Sequence, residues 1–247
     1  MLKDTTINKE EVKKFSALAK EWWDESGQFK PLHDINPVRI KFIKEHIIKH
    51  FKINALNEQL LDNFKLLDIG CGGGLLSVPM ARLGACVIGI DPSEENIKIA
   101  KQYVKENEIK VNFKCSSVQG LIKNKHEKFD IILNMEVVEH VNNVENFLSE
   151  SSKLLKKNGI MFISTINKTI KSLIKAKFVA EYVLRLLPIG THEWKKFIKP
   201  EELIHVMNKN QLELLDITGM SYDMINKNWY LSDNLDVNYI VCFRKIK

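Results

Sequence analysis

Short apolar runs alternate with stretches of helical periodicity between residues 64 and 164. An apolar run of this kind, ending at glycine or at a polar residue, predicts a buried strand. We therefore predict strands over 65–69, 86–90, 111–115, 129–133 and 160–164. Apolar positions at helical spacing predict helices over 75–83, 94–107 and 143–155. Strands that alternate with helices indicate a doubly wound α/β fold with a largely parallel sheet.

The last part of the chain departs from this alternation. Two apolar runs, 212–217 and 237–243, have no helical pattern between them, which predicts an antiparallel pair that closes the sheet. The predicted sheet then has seven strands with helices on both faces. We expect one domain over 1–247, with a helical extension over 1–60 and an insertion over 168–192 that covers the ligand site.

Composition and charge narrow the function classes only slightly. The chain has 37 Lys and Arg against 31 Asp and Glu, a formal net charge of +6. This excess of positive charge is compatible with binding to nucleic acid or to an anionic membrane. We favour the simpler interpretation that the lysines lie on solvated surfaces. No apolar stretch is long enough to cross a bilayer and no signal-peptide pattern opens the chain, so we expect a cytoplasmic protein. The cysteines form no C-x-x-C pair, and we expect Cys86, Cys115 and Cys242 to be buried in strands.

A glycine loop, Asp68-Ile69-Gly70-Cys71-Gly72-Gly73-Gly74, follows the first predicted strand and precedes a helix. Glycines at such a turn allow the backbone to approach a ligand closely. The dinucleotide fingerprint G-x-G-x-x-G would require glycine at position 75, where this chain has Leu75. The loop therefore indicates a ligand other than a dinucleotide pyrophosphate.

Asp91 closes the second predicted strand. An ionised carboxylate accepts hydrogen bonds at two oxygens, which suits the two hydroxyls of a ribose. S-adenosylmethionine and NAD both carry a free ribose, and the glycine spacing favours the first. A lone Asp at a strand end is also a common helix cap, so the argument depends on Asp91 and the loop together.

Two carboxylates and an imidazole follow the fourth predicted strand: Glu136, Glu139 and His140. On one helical turn their spacing of three and four residues would place them on one face. Such a set suits a divalent cation, with oxygen ligands favouring magnesium and an imidazole favouring zinc. Alternatively, His140 acts as a general base, or the group only orders the turn.

Six motifs together resemble one family, the ubiquinone-biosynthesis O-methyltransferases among the class I S-adenosylmethionine-dependent methyltransferases. The motifs are Trp22-Trp23-Asp24, Phe29-Lys30-Pro31-Leu32-His33, Asn36-Pro37-Val38-Arg39, the glycine loop with the later Met135-Glu136-Val137-Val138-Glu139-His140, and Gly190-Thr191-His192-Glu193-Trp194. The resemblance covers nearly the whole chain. The N-terminal and Gly-Thr-His motifs are more specific than the glycine loop.

The resemblance implies S-adenosylmethionine as cofactor and assigns site residues. It implies cofactor contacts at Arg39, Asp68, Gly70, Gly72, Asp91 and Met135. The acid that such enzymes often carry after the third strand is absent, which leaves Gln119 or a backbone group to contact the adenine. It also implies a magnesium or zinc site at Glu136, Glu139 and His140 where the family uses a metal, and leaves His140 or His192 as the phenol base.

The implied acceptor is a polyprenylated catechol or demethylubiquinol, and both O-methylations of the ring are expected. Residues 168–187 show a basic amphipathic pattern, which predicts peripheral contact with the inner face of the membrane or, alternatively, a lid with solvated lysines. Another small phenol or a lipid is the alternative substrate. No Asn-Pro-Pro-aromatic tetrad follows the fourth strand, so we expect no nucleic-acid partner.

Overall fold

The computed structural model of the protein describes residues 6–56, 59–169, 172 and 196–247. The five predicted strands alternate with helices, of which α5 was not predicted: β1 (Lys65–Ile69), α3 (Ser77–Arg82), β2 (Cys86–Asp91), α4 (Glu94–Glu106), β3 (Asn112–Cys115), α5 (Val118–Lys123), β4 (Phe129–Met135), α6 (Val144–Lys153) and β5 (Leu155–Ile166). Before them lie α1 (Lys9–Ala17), a 3-10 turn (Ala19–Glu21) and α2 (Lys30–Phe51). After them lie α7 (Pro200–Lys209), β6 (Leu212–Asp223), β7 (Asn228–Ser232) and β8 (Asn238–Lys245).

The described residues form one sheet with the strand order β3-β2-β1-β4-β5-β8-β6-β7. The first five strands are parallel, and β8 pairs antiparallel with both β5 and β6. This topology confirms the predicted doubly wound fold. The switch point lies between β1 and β4, where connections leave in opposite directions and ligands bind in such sheets.

The predicted count of seven strands is wrong, because the described sheet has eight. The additional strand, β7, forms a hairpin with the far end of β6 and lies at the sheet edge. None of its residues is fully buried, and its short apolar run, Trp229-Tyr230-Leu231, was not predicted to be a strand. Pairing with β6, rather than burial, makes this segment a strand.

The core lies on both faces of the sheet. Alternate residues of β4 point to opposite faces: Ile132 packs beside α5 and α6, whereas Ile131 and Leu133 pack beside α2. This alternation follows from the period of two in a strand. It confirms the prediction of helices on both faces.

Two of the predicted buried cysteines are exposed. Cys242 lies in the core of β8, but Cys86 begins β2 and Cys115 ends the edge strand β3, and both are exposed. The ends of a strand extend beyond the helices that cover the sheet, so a position in an apolar run does not ensure burial. No helix of the described residues is long and apolar enough to cross a membrane. The predicted insertion, 168–192, lies outside the described residues except for 168, 169 and 172.

Candidate active site

A cavity of about 330 Å3 lies at the carboxyl ends of β1, β2 and β4. Its walls come from the loops after these strands, from a second 3-10 turn (Val138–His140) and from the N-terminal segment that contains α1. Nine predicted site residues line it: Arg39, Asp68, Gly70, Gly72, Asp91, Met135, Glu136, Glu139 and His140. The edge of the sheet thus gathers residues that are far apart in the sequence, as the switch point of such a fold should.

The glycine loop needs glycine for both backbone conformation and space. Gly70 and Gly72 have φ of 67° and 53°, in the left-handed region that residues with a Cβ rarely adopt. A Cβ on Gly70 would lie 2.6 Å from Cγ2 of Val137, and one on Gly72 would overlap the ring of Trp22. The loop therefore approaches its neighbours through backbone alone.

The Trp-Trp segment lies directly on the glycine loop. The indole N–H of Trp22 donates to Oδ1 of Asn96 at 2.9 Å, and that of Trp23 donates to the carbonyl of Gly73 at 3.0 Å. The ring of His33 lies 2.9 Å, through Nε2, from the carbonyl oxygen of Trp22. These contacts give the N-terminal motifs a role, because they hold the loop against the N-terminal segment.

Asp91 is buried and held by three donors. The N–H of Gly72 donates to its Oδ2 at 3.0 Å, and the N–H of Ser93 and the side-chain amide of Asn96 donate to its Oδ1 at 2.9 and 3.2 Å. Burial raises the pKa of Asp91 above its ordinary value, although these hydrogen bonds act in the opposite direction. The carboxylate is therefore fixed at the junction of β2, α4 and the glycine loop.

Asp68 lies deeper, at the end of β1. The hydroxyl of Ser77 donates to its Oδ2 at 2.6 Å. Burial raises the pKa of Asp68 to about 7; the bond from Ser77 lowers it, and the charge of Asp91 raises it further. Near neutral pH this carboxyl is thus present in both protonation states.

Arg39 and Glu136 form an ion pair at the cavity wall. Nη2 of Arg39 donates to Oε1 of Glu136 at 2.7 Å, and the hydroxyl of Ser164 donates to the same oxygen at 2.7 Å. Burial raises the pKa of Glu136, but the charge of Arg39 and the bond from Ser164 outweigh it, so this pKa lies below its ordinary value. Nε of Arg39 is buried without a hydrogen-bond partner, so this guanidinium retains an unused donor beside the cavity.

His140 contacts a carboxylate from the other end of the chain. Its Nδ1 lies 2.9 Å from Oε2 of Glu11 in α1, whereas Oε2 of the neighbouring Glu139 accepts from the hydroxyl of Thr165 at 2.9 Å. Burial lowers the pKa of His140, but the bond with Glu11 and the charges of Glu139 and Glu136 outweigh it and raise it. Burial and the charge of Glu136 raise the pKa of Glu139 to about 7.

Comparison with known proteins decides the family. A family model described as "Methyltransferase domain" matches residues 39–217. A ubiquinone biosynthesis O-methyltransferase of Pelagibacter ubique is 56% identical over 97% of this chain and 99% of its own length. That of Bartonella quintana is 45% identical over 98% of this chain and 97% of its own. The chain belongs to the ubiquinone biosynthesis O-methyltransferases. Its resemblance to that family is thereby confirmed.

Solved structures agree on the fold of this O-methyltransferase. The plantazolicin methyltransferase BamL, in complex with a triazolic desmethylPZN analogue and SAH, aligns with a TM-score of 0.68 and 16% identity over 97% of this chain and 99% of that one. Magnesium protoporphyrin IX methyltransferase (ChlM) from Synechocystis PCC 6803, with bound SAM, aligns with a TM-score of 0.58 and 15% identity over 94% and 97%. At such identities the likeness shows the fold alone.

The metal role predicted for Glu136, Glu139 and His140 of this O-methyltransferase stays a prediction. No group of three His, Cys, Asp or Glu side chains there is arranged to hold an ion. The helical-face argument fails because Glu136 has φ of 54° and lies before the 3-10 turn, and its carboxylate pairs with Arg39. Glu139 and His140 bond to Thr165 and Glu11 instead. The acidic cluster is occupied by protein partners.

Of the two remaining predicted residues, the structure describes only Gln119. Gln119 lies in α5, but its amide donates to the hydroxyl of Thr6 at 2.9 Å, and Ser116, Ser117 and Val118 line the cavity at this point. His192, with the rest of the Gly-Thr-His-x-Trp motif, lies outside the described residues. Its role as a base stays a prediction.

Glu11 is the site residue that the sequence did not reveal. It lies in the polar helix α1, where a run of Lys and Glu indicates a solvated face. The only local signal is Asn8, whose side chain caps the helix at the N–H groups of Glu10 and Glu11. A cap predicts where a helix begins but not which carboxylate becomes buried.

Proposed function

We propose that this protein transfers a methyl group from S-adenosylmethionine to a phenolic hydroxyl of a polyprenylated catechol or demethylubiquinol. Methylation in ubiquinone biosynthesis is the activity in the names of its relatives. The observation that carries the proposal is a cavity that joins a glycine loop, a buried carboxylate after β2 and the guanidinium group of Arg39. The glycine loop lets the protein backbone approach the cofactor closely. The buried carboxylate suits the ribose of the cofactor, and the guanidinium suits its carboxylate.

The residues present fit the amino-acid end of the cofactor. Arg39 lines the cavity, and a planar guanidinium suits a carboxylate because it can donate two parallel hydrogen bonds. Asp68 at the end of β1 provides a carboxylate on the same cavity, which suits an ammonium group. The carboxylate of the cofactor would thus meet the guanidinium of Arg39, and its ammonium group would meet the carboxylate of Asp68.

Asp91 suits the ribose. An ionised carboxylate offers about four acceptor positions, and three are already used by Gly72, Ser93 and Asn96. The remaining capacity is on Oδ2, which so far accepts only from Gly72. A hydroxyl at this position would complete the carboxylate without displacing the donors that hold it.

The protein's part in the reaction is mainly alignment. S-adenosylmethionine supplies an activated methyl group, so the residues must hold the phenol oxygen in line with it and exclude water. The cavity wall also carries Phe15, Leu18 and Phe147, which suit an aromatic ring with an apolar tail. We assign the phenol proton to His140, because its imidazole lines the cavity and is a side chain that exchanges a proton near neutral pH.

The segment 168–187 supports the membrane part of the proposal by its sequence alone. Its mixture of apolar residues and lysines suits an anionic interface, and a polyprenyl tail resides in a membrane. We therefore propose a cytoplasmic enzyme that contacts the inner face of the membrane peripherally. A small-molecule substrate, rather than nucleic acid, remains the expected partner.

The test is methyl transfer from labelled S-adenosylmethionine to a short-chain demethylubiquinol, with Asp91→Asn and a matched control, Glu94→Gln. Glu94 is an exposed carboxylate in α4. We expect Asp91→Asn to weaken cofactor binding by roughly 10- to 100-fold, because hydrogen bonds to a charged group contribute about 1.5–3 kcal/mol. Calorimetry with S-adenosylhomocysteine measures this loss, and Glu94→Gln should bind as the wild type does.

A chelator arm tests the metal. We expect transfer to persist with chelator, because protein groups occupy the acidic cluster in the described residues. Transfer that is abolished by chelator and restored by magnesium or zinc would contradict this expectation. Cofactor binding without transfer to any demethylubiquinol would refute the acceptor and leave a methyltransferase for another phenol or lipid.

A further inference from the structure

Asn96 connects the N-terminal segment to the carboxylate that follows β2. The indole N–H of Trp22 donates to Oδ1 of Asn96 at 2.9 Å, and Nδ2 of Asn96 donates to Oδ1 of Asp91 at 3.2 Å. All three residues are buried, and all three line the cavity. Two successive hydrogen bonds thus link a residue of the N-terminal segment, through α4, to the group that we assign to the ribose.

The three groups are compatible with only one orientation of the Asn96 amide. An indole N–H can only donate, and an ionised carboxylate can only accept. The amide has one oxygen and one NH2 group, so its oxygen must face Trp22 and its nitrogen must face Asp91. Without the indole donor, the amide is free to rotate and to place its oxygen against the carboxylate, where two acceptors repel each other. The indole N–H therefore selects the orientation in which Asn96 donates to Asp91.

The ring of Trp22 is itself fixed by several contacts. It stacks on the ring of Phe29 with centroids 3.8 Å apart and an angle of 5°. It also lies against the glycine loop, where a Cβ on Gly72 or Gly73 would overlap it. The carbonyl oxygen of Trp22 lies 2.9 Å from Nε2 of His33. Because these contacts leave the ring little freedom, the direction of its N–H is defined independently of Asn96.

The backbone of α4 fixes the other end of the link. Asn96 is the third residue of this helix, and its N–H donates to the hydroxyl of the capping residue Ser93 at 3.1 Å. The N–H of Ser93 donates to the same oxygen of Asp91 that accepts from Asn96. The helix cap therefore places the amide beside the carboxylate, and the rotation of the amide is the one feature that the cap leaves open.

We propose that Trp22 is a positioning residue for the cofactor ribose, because its indole N–H sets the orientation of the Asn96 amide that holds Asp91. The inference rests on the proposed assignment of Asp91 to the ribose. It gives the first residue of the Trp22-Trp23-Asp24 motif a role in ribose recognition in addition to its packing on the glycine loop. Loss of this N–H should therefore weaken recognition of the ribose and not that of the amino-acid end of the cofactor.

The test compares the binding of S-adenosylhomocysteine with that of its 2′-deoxy and 3′-deoxy forms by calorimetry. The ratio of two Kd values measures what one hydroxyl contributes, and a variant that only loosens the fold weakens every ligand alike. The hydroxyl that bonds to Asp91 should give the wild type a ratio of roughly 10 to 100, because hydrogen bonds to a charged group are strong. We expect Trp22→Phe to reduce this ratio by about threefold or more, as coupling within one hydrogen-bond network does.

Three further variants isolate the N–H from the ring. Trp229→Phe makes the same change in β7, outside the cavity wall, and should retain the wild-type ratio. Benzothienylalanine at position 22 replaces the indole N–H by sulfur and retains the ring, so it should reduce the ratio even if Trp22→Phe does not fold. Asn96→Ala removes both hydrogen bonds and should reduce the ratio at least as far. Thermal unfolding identifies the variants that are folded.

The outcomes distinguish this proposal from the function on which it rests. A wild-type ratio with benzothienylalanine at position 22 overturns the role of Trp22 and leaves Asp91 assigned to the ribose. Equal binding of all three ligands by the wild type refutes that assignment, and the role of Trp22 fails with it. None of these measurements uses a phenol. A protein that shows the expected ratios but methylates no demethylubiquinol therefore refutes the proposed acceptor and supports the role of Trp22.

Discussion

Carboxyl groups around the cavity have different proton affinities because each has different neighbours. Glu11 is surrounded by His140 and lysines, and its pKa is about 2 although burial raises it. Asp68 has the same chemistry but only the uncharged donors of Ser77 as partners, so burial dominates and its pKa is about 7. A residue's type therefore sets its ordinary pKa, and its partners decide its charge at neutral pH.

The first prediction concerns Asp68→Asn and the pH dependence of stability. Because burial raises the pKa of Asp68 from 3.8 to about 7, the folded, ligand-free protein binds this proton more tightly than the unfolded chain. Its stabilising contribution is complete below about pH 4 and is lost as pH rises through 7. The unfolding free energy of the wild type should therefore decline as pH rises through that window. We expect Asp68→Asn to make this slope less steep by up to about 1.4 kcal/mol per pH unit.

Urea denaturation at several pH values between 4 and 8 measures this slope. Asp233→Asn, which changes an exposed Asp, is the matched control and should retain the wild-type slope. Part of the decline should remain in Asp68→Asn, because burial also raises the pKa of Glu139 to about 7. Equal slopes for Asp68→Asn and the wild type would show that Asp68 does not titrate in this range.

At the scale of the element, the residues that cap α4 also contact the ligand site. Ser93 caps α4 by accepting from the N–H of Asn96 at 3.1 Å, and the hydroxyl of Ser16 in α1 donates to it. The backbone of Ser93 and the side chain of Asn96 both donate to Asp91. The first turn of this helix thus orders the carboxylate that we assign to the ribose.

The second prediction concerns Ser93→Ala. We expect a loss of about 1 kcal/mol in unfolding free energy from the missing cap, together with weaker S-adenosylhomocysteine binding because Asn96 and Asp91 lose their order. Asn143→Ala removes the corresponding cap of α6, which is exposed and outside the cavity wall. The control should lose similar stability but bind with wild-type affinity, as measured by urea denaturation and calorimetry. If both variants bind S-adenosylhomocysteine with the same affinity, the cap of α4 does not contribute to the ligand site.

At the scale of the whole molecule, the cavity joins two parts of different origin. One part is the edge of the parallel sheet, and the other is the N-terminal segment, which reaches the sheet through contacts such as Ser16 to Ser93 and Glu11 to His140. A ligand between them contacts both. Its binding free energy therefore stabilises their association as well as the fold.

The third prediction follows for hydrogen exchange. At 100 times its Kd, S-adenosylhomocysteine should stabilise the protein by about 2.7 kcal/mol. We expect slower amide exchange in residues 9–17 and 70–74, which line or border the cavity. Residues 224–227, in the exposed turn between β6 and β7, serve as the internal control and should exchange at an unchanged rate. Protection of 70–74 without protection of 9–17 would show that α1 is not part of the ligand site.

The sequence alone determined the features that depend on local spacing. The alternation of apolar runs defined the order of β1 to β5 and the helices on both faces, because burial of a strand or helix face imposes a fixed period. The positions of Gly70, Gly72 and Asp91 at strand ends located the ligand edge, since parallel strands end there together. The motifs identified the family.

Only the tertiary structure decided which side chains meet. Glu136 turns to Arg39, 97 residues away, and Glu11 reaches His140, 129 residues away. No local pattern encodes such pairs, because they depend on how α1 and α2 pack against the sheet. The same holds for β7, which is a strand through pairing and not through burial. Local periodicity fixes what each segment becomes, whereas packing between distant segments fixes the chemistry of the site.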